Sequence, residues 1–212
     1  MWSLFTFLGA LSVLGVSAEP LPGSDTAEFA LVKRNHGISL YERWYESEPD
    51  LSAREVKATF VLNVEPEAAI SLIRNQARGR DWNKNTRDYK VVAVNDDKWI
   101  CYLQYDLPWP LNNQDCVLEH SQYRQGNSIY VPFEAVEHPE FPENSRVQRI
   151  PAIRGKWVFT PDPAGTRVDY YITTTPSGSL PTWVTDPVIR NNLIASLQAF
   201  RDILHTGALT KR

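Results

Sequence analysis

Apolar and polar positions change period several times along the chain, and each change predicts an element. Trp2 to Val16 is mostly apolar and uncharged, the length of a signal-peptide core and short for a membrane span. Val16-Ser17-Ala18 supplies the small residues that a signal peptidase reads, and Glu19-Pro20 breaks the pattern. Residues 19–27, rich in Pro, Gly and Ser, read as a linker. From Phe29 the period is two, interrupted by a turn at Asn35-His36-Gly37 and resumed from Ile38 to Trp44. A third strand, Val56 to Val64, sets Val56, Ala58, Phe60 and Leu62 on one face. Pro66 opens a helix whose apolar stripe is Ala69, Ile70, Leu72 and Ile73. Strands follow at 88–95, 98–107, 115–125, 128–136, 146–160 and 166–175, joined by short polar links that imply an antiparallel meander. The period then returns to helical: Val188, Ile189, Leu193, Ile194, Leu197, Phe200, Ile203 and Leu204 mark a helix from Pro187 to His205.

These elements predict an α+β fold, with one domain over 28–207, a tail at 208–212 and a signal peptide at 1–18. A long antiparallel sheet with one apolar face must cover that face. The last helix is the only one long enough to do so. A curved sheet closed over a single helix leaves a lined hollow, whether empty or filled by its own aromatics. Export to the periplasm or the medium is expected, with an uncleaved N-terminal anchor as the alternative. A monomer is expected.

The hairpin from Lys98 to Tyr123 carries the most polar detail. Trp99, Cys101, Leu103 and Tyr105 share one face, and Cys116, Leu118 and His120 share the matching one, so both cysteines point inward. A Cys101–Cys116 bridge needs a turn centred between Pro108 and Trp109. The polar tip Asn112-Asn113-Gln114 favours a later centre, which sets Cys101 opposite His120 and Cys116 opposite Tyr105. His120 is then either a core histidine bonded to a neighbour or a polar anchor for a ligand. Arg149 shares a strand face with Val147, Pro151 and Ile153, as a buried cation needing a partner or at the strand's wet end.

Composition removes several function classes. With 22 basic and 25 acidic residues the net charge is −3, leaving no basic surplus for phosphates, so nucleic acid is not expected as a partner. His36, His120, His138 and His205 have no metal-ligand spacing, and there is no H-E-x-x-H, G-x-S-x-G, phosphate loop or C-x-x-C. No catalytic residue, metal or cofactor is therefore assigned, and no enzyme activity is expected.

Several segments, taken in order, resemble the START lipid-transfer domains. They are Gly37-Ile38-Ser39-Leu40-Tyr41, then Leu107-Pro108-Trp109-Pro110-Leu111 with Gln114-Asp115. Arg149 with Gly155-Lys156-Trp157-Val158-Phe159-Thr160-Pro161 follows, and Gly178-Ser179-Leu180-Pro181-Thr182-Trp183-Val184 closes the series. The resemblance implies a helix-grip fold, the sheet wrapping the last helix around a hydrophobic tunnel that binds a sterol, phospholipid or similar ligand without covalent chemistry. The family's cavity charge pair would fall on Cys101 and His120, where this chain is uncharged, and its usual Arg falls on Gln114. On this reading Trp99, Cys101, Leu103, Tyr105, Leu118, Ile129, Val131, Phe133 and Trp157 line the cavity with Leu193, Leu197 and Phe200 of the last helix. His120 and Arg149 meet the ligand's polar end. Loops around Trp109 and from Leu180 to Trp183 form a mouth that touches a membrane transiently. The competing readings are an enzyme on the same fold using His120 or Asp115, and an interaction module whose cavity is filled.

Overall fold

The computed structural model of the chain describes residues 28–48, 51–107, 109, 112–174 and 182–207. The expected signal peptide, linker and tail lie outside the described residues, as do Pro108, Pro110, Leu111, Leu180 and the side chain of Trp183. Two antiparallel runs build the sheet. The first is β1 (Ala30–Asn35), β2 (Ile38–Glu48) and β3 (Leu51–Leu62). Its β1–β2 turn is made by His36 and Gly37, both at positive φ (49° and 73°). Helices α1 (Pro66–Ile73) and α2 (Gly79–Trp82) lead to the second run. That run is β4 (Thr86–Ala93), β5 (Lys98–Tyr105), β6 (Gln114–Ser121), β7 (Tyr123–Gln125), β8 (Ser128–Ala135), β9 (Gln148–Arg149), β10 (Ile153–Asp162) and β11 (Gly165–Thr174). Pairing of β11 with β3, from Thr166↔Leu62 to Thr174↔Arg54, fuses the runs in the order β1-β2-β3-β11-β10-β8-β6-β5-β4.

Helix α3 (Thr182–His205) lies against the inward face. It buries Ile194, Leu197, Phe200 and Leu204, worth roughly 1.5–3 kcal/mol for each fully buried side chain. Its C-terminal end reaches β3, where His205 Nε2 accepts the Asn63 N–H at 3.3 Å. Its N-terminal half meets β2 and β3 through Arg190–Glu42 and Asp186–Arg54. On the free β4 side the α2–β4 connection closes onto α3. There the Lys84 N–H donates to Ser196 Oγ at 2.9 Å, and Asn85 Nδ2 donates to Asn192 Oδ1 at 3.0 Å.

Four details depart from the sequence expectation. The helix begins at Thr182, with Pro187 inside it; a proline at this sixth position removes the one amide that would reach the Trp183 carbonyl. The run 115–125 is broken at Gln122, and β7 pairs only with β8. The run 146–160 is broken around Pro151, and β9 lies parallel to β6, a ladder outside any meander. In the β5–β6 hairpin Trp99 is opposite His120, Cys101 opposite Leu118, and Leu103 opposite Cys116, two residues from the expected register. Both cysteines are buried and free.

Candidate functional site

Inward-facing side chains are sealed at one end of the sheet and accessible at the other. Along β11, Val168 is 0% exposed and Tyr170 9%, while Ile172 is half-buried. β5 runs from buried Trp99, Cys101 and Leu103 to half-buried Tyr105, and β8 from buried Ile129, Val131 and Phe133 to half-buried Ala135. On α3, Leu197 and Phe200 are sealed and Leu193 is half-buried. The antiparallel registers bring Tyr105, Ala135, Ile172 and Leu193 to the same end, which carries the β5–β6 loop and the start of α3. Trp109 in that loop is 92% exposed.

A continuous aromatic stack fills the sealed part. Trp99 stacks on His120 (5.2 Å between centroids), which abuts Phe133 (5.3 Å), and Phe133 stacks on Tyr170 (5.9 Å). Trp157 meets Tyr170 at 4.4 Å and Phe200 at 5.3 Å, and Phe200 meets Trp82 at 5.0 Å. Gly155 makes room for this packing, since a Cβ there would lie 2.4 Å from the Phe133 ring and 2.1 Å from the Tyr171 carbonyl oxygen. Two open grooves, of about 360 and 700 Å³, lie elsewhere: one crosses the outer face of the sheet, the other runs between α1 and the β7–β8 turn. Neither lies beneath α3.

Inside the stack His120 is bonded to its own strand. A carbonyl only accepts, so Nδ1–H donates to the Leu118 oxygen at 3.3 Å. Burial lowers its pKa to about 4, so the ring is neutral at ordinary pH. Tyr89 Oη donates to the Ile73 carbonyl at 2.7 Å and lies 3.7 Å from Cys101 Sγ. Burial pushes Cys101 up to about 12 and raises Cys116, Tyr89, Tyr105 and Tyr170 far above their usual values. Cys116 and Tyr170, on opposite walls, are close enough to feel each other's charge, and Tyr105 feels both. Tyr105 is thus close to these interior groups while its side chain stays half-buried at the accessible end. Neither Tyr105 Oη nor Tyr170 Oη has a hydrogen-bond partner among the described residues. Tyr170 went unnoticed in the sequence; the inward parity of 166–175 was the signal that could have found it.

The expected site residues separate into three groups. Trp99, Cys101, Leu118, His120, Ile129, Val131, Phe133, Trp157, Leu197 and Phe200 are brought together as sealed core. Leu103, Tyr105 and Leu193 stand at or next to the accessible end. Arg149 belongs to neither. It lies on the other side of the sheet, where Nε and Nη2 donate to the carboxylate of Asp115 at 2.7 and 3.0 Å, and Nη2 to the Phe141 carbonyl at 3.1 Å. That side has its own small core of Ile100, Val117 and Phe141, with Tyr102 stacked on Phe141. The Asp115 carboxylate, 1% exposed, is thus engaged by Arg149 away from the interior.

Among the described residues, four charges at the accessible end pair with one another. Arg190 donates to both oxygens of Glu42 at 2.7 and 2.6 Å and to Asp186 at 3.3 Å, and Arg54 Nη1 donates to Asp186 at 2.5 Å. No cluster able to hold a metal ion occurs among the described residues.

A family model described as the START domain matches residues 37–209. The phosphatidylcholine transfer protein of Bos taurus is 23% identical over 177 residues, covering 81% of this chain and 82% of the relative. Among solved structures, a STAR-related lipid transfer protein from Xanthomonas axonopodis (fragment 25–204) superposes with a TM-score of 0.72 at 29% identity, covering 83% of this chain and 98% of that one. The Zhui aromatase/cyclase of a Streptomyces species shares the fold alone, with a TM-score of 0.52 at 14% identity over 71% of this chain and 92% of its own.

Proposed function

The chain belongs to the START domain family, and from that premise we propose that it is an exported lipid-binding or lipid-transfer protein. It holds one apolar ligand between the sheet and α3, at the end ringed by Tyr105, Ile172 and Leu193. The observation that carries this reading is Tyr105, buried deeply enough to raise its pKa yet accessible along one side and unbonded. The exposed Trp109 beside that end supports brief contact with a membrane during exchange, since an indole suits the boundary between apolar and wet surroundings. Transfer of the ligand's apolar surface out of water supplies the affinity, at about 25 cal/mol per Å² buried. The N-terminal run supports cleavage after Ala18.

Chemistry at His120 or Asp115 finds little support here. A neutral His120 buried in a ring stack and an Asp115 bound to Arg149 behind the sheet do not meet around a common reacting atom. The test is native mass spectrometry of protein recovered from the exported fraction, with organic extraction of its contents. The expected species begins at Glu19 and carries one lipid per chain. Apo protein throughout, with no uptake from vesicles of mixed sterol and phospholipid, overturns lipid binding; an intact Met1 in the cell pellet overturns export.

A further inference from the structure

We infer that the ligand is an uncharged lipid bearing acceptor oxygens (ester, ketone or hydroxyl) and that phospholipid headgroups are rejected. This rests on the lipid-binding reading above and narrows it to a ligand class. The first observation is a charge balance. Among the described residues, the charged side chains on the inward face at the accessible end are Glu42 and Arg54, which face Asp186 and Arg190 of α3. Two cations and two carboxylates neutralise one another, and Arg190 spends Nε and Nη2 on Glu42. Nε of Arg54 remains unpaired but sealed from solvent, on a guanidinium already held by Asp186. A phosphate entering this end would have to break an existing pair or be buried without a counter-charge, and either costs far more than apolar contact returns.

The second observation is the kind of hydrogen bond left unmade. Tyr105 Oη and Tyr170 Oη, on the inward face, have no hydrogen-bond partner among the described residues. A phenol without a partner donates to an acceptor oxygen of the occupant. Burial keeps the interior thiols, phenols and His120 uncharged, so none of them supplies a counter-charge to an ammonium or a phosphate. Oxygen-bearing neutral lipids meet both conditions.

The experiment offers the delipidated full protein four vesicle preparations in a phosphatidylcholine matrix. These are matrix alone, matrix with phosphatidylglycerol, with diacylglycerol, and with cholesterol; the bound lipid is then read by native mass spectrometry. Diacylglycerol or cholesterol at one per chain is expected, the two arms separating an ester from a hydroxyl source, with each phospholipid at least ten-fold lower. Phosphatidylcholine or phosphatidylglycerol bound as well as the neutral lipid overturns the inference while leaving lipid binding intact. Uptake of no lipid in any arm overturns both. Tyr105→Phe and Tyr170→Phe, which keep the rings, should each weaken the oxygen-bearing ligand about five-fold, the worth of one hydrogen bond, and leave squalane uptake unchanged. Equal weakening of squalane would mean that the hydroxyls act on the fold and not on the ligand's oxygens, against the inference.

Discussion

His120 donates to the Leu118 carbonyl between the rings of Trp99 and Phe133, so its proton balance differs between folded and unfolded chains. Its folded pKa is about 4 against an unfolded 6.5. A depressed histidine pKa means that the unfolded chain takes the proton first. The stability that His120 contributes is complete above pH 6.5, falls as pH drops towards 4, and is flat below that. The fall amounts to about 3 kcal/mol for a shift of this size. His120→Phe keeps a ring in the stack and removes the proton. Urea unfolding of both proteins between pH 7 and 4.5 should therefore show the wild type losing stability more steeply, by about 2 kcal/mol over that window. Parallel curves would mean that the imidazole is wet. Tyr105 and Tyr170 differ from His120 in kind, because their hydroxyls have no partner among the described residues. At this scale the sequence shows that His120 points inward, but not whether its partner is a backbone carbonyl or a ligand.

The β5–β6 hairpin shows what periodicity can deliver for an element. A side chain's face depends on parity, and its cross-strand partner depends on where the loop closes. The expected register differs from the observed one by two residues, so every inward residue keeps its side while each partner changes. Cys101 meets Leu118 instead of His120. The loop is closed by the Asn113 side chain, whose Oδ1 accepts the Leu107 N–H at 3.2 Å, a contact that no alternation pattern encodes. Arg149 shows the converse. Reading 146–160 as one strand put it on a face with Ile153, but Pro151 interrupts the ladder and β9 turns back along β6. The Arg149–Asp115 pair then fastens the 136–150 segment over Ile100 and Val117. Arg149→Ala leaves a buried carboxylate without its cation and should cost about 3 kcal/mol in urea denaturation. Lipid loading of the folded fraction should be unchanged; loss of loading at full stability would return Arg149 to the ligand site. The start of α3 also differs from the expectation: Pro187 stands inside the helix and does not mark its boundary.

For the whole molecule the question is whether the interior admits a guest or is complete without one. The aromatic stack from Trp99 to Trp82 argues that much of the space between sheet and α3 is already filled. The half-buried Tyr105, Ala135, Ile172 and Leu193 mark the end at which the guest is proposed to bind. On that proposal it sits above the stack, with its oxygens near the unbonded hydroxyls and its chain towards Trp109. Ile172 is the position to test, because it is inward and half-buried beside Tyr170, on a strand paired on both sides. Ile172→Trp adds bulk to the remaining space, and overpacking costs about 1–3 kcal/mol, less where part of the ring can protrude. Loading from diacylglycerol or sterol vesicles should fall at least ten-fold, while thermal unfolding shifts by only a few degrees, as expected for a stability change of that size. Val158→Trp, on the opposite face of the neighbouring strand, controls for bulk and should load normally. If Ile172→Trp takes up lipid as well as the parent does, the ligand does not sit above Tyr170. If neither protein ever loads and both retain the same binding partners, the interior is a finished core and the chain works through its surface. The two tryptophans stand on neighbouring strands and on opposite faces of one sheet, so a difference in loading reports on the inward face.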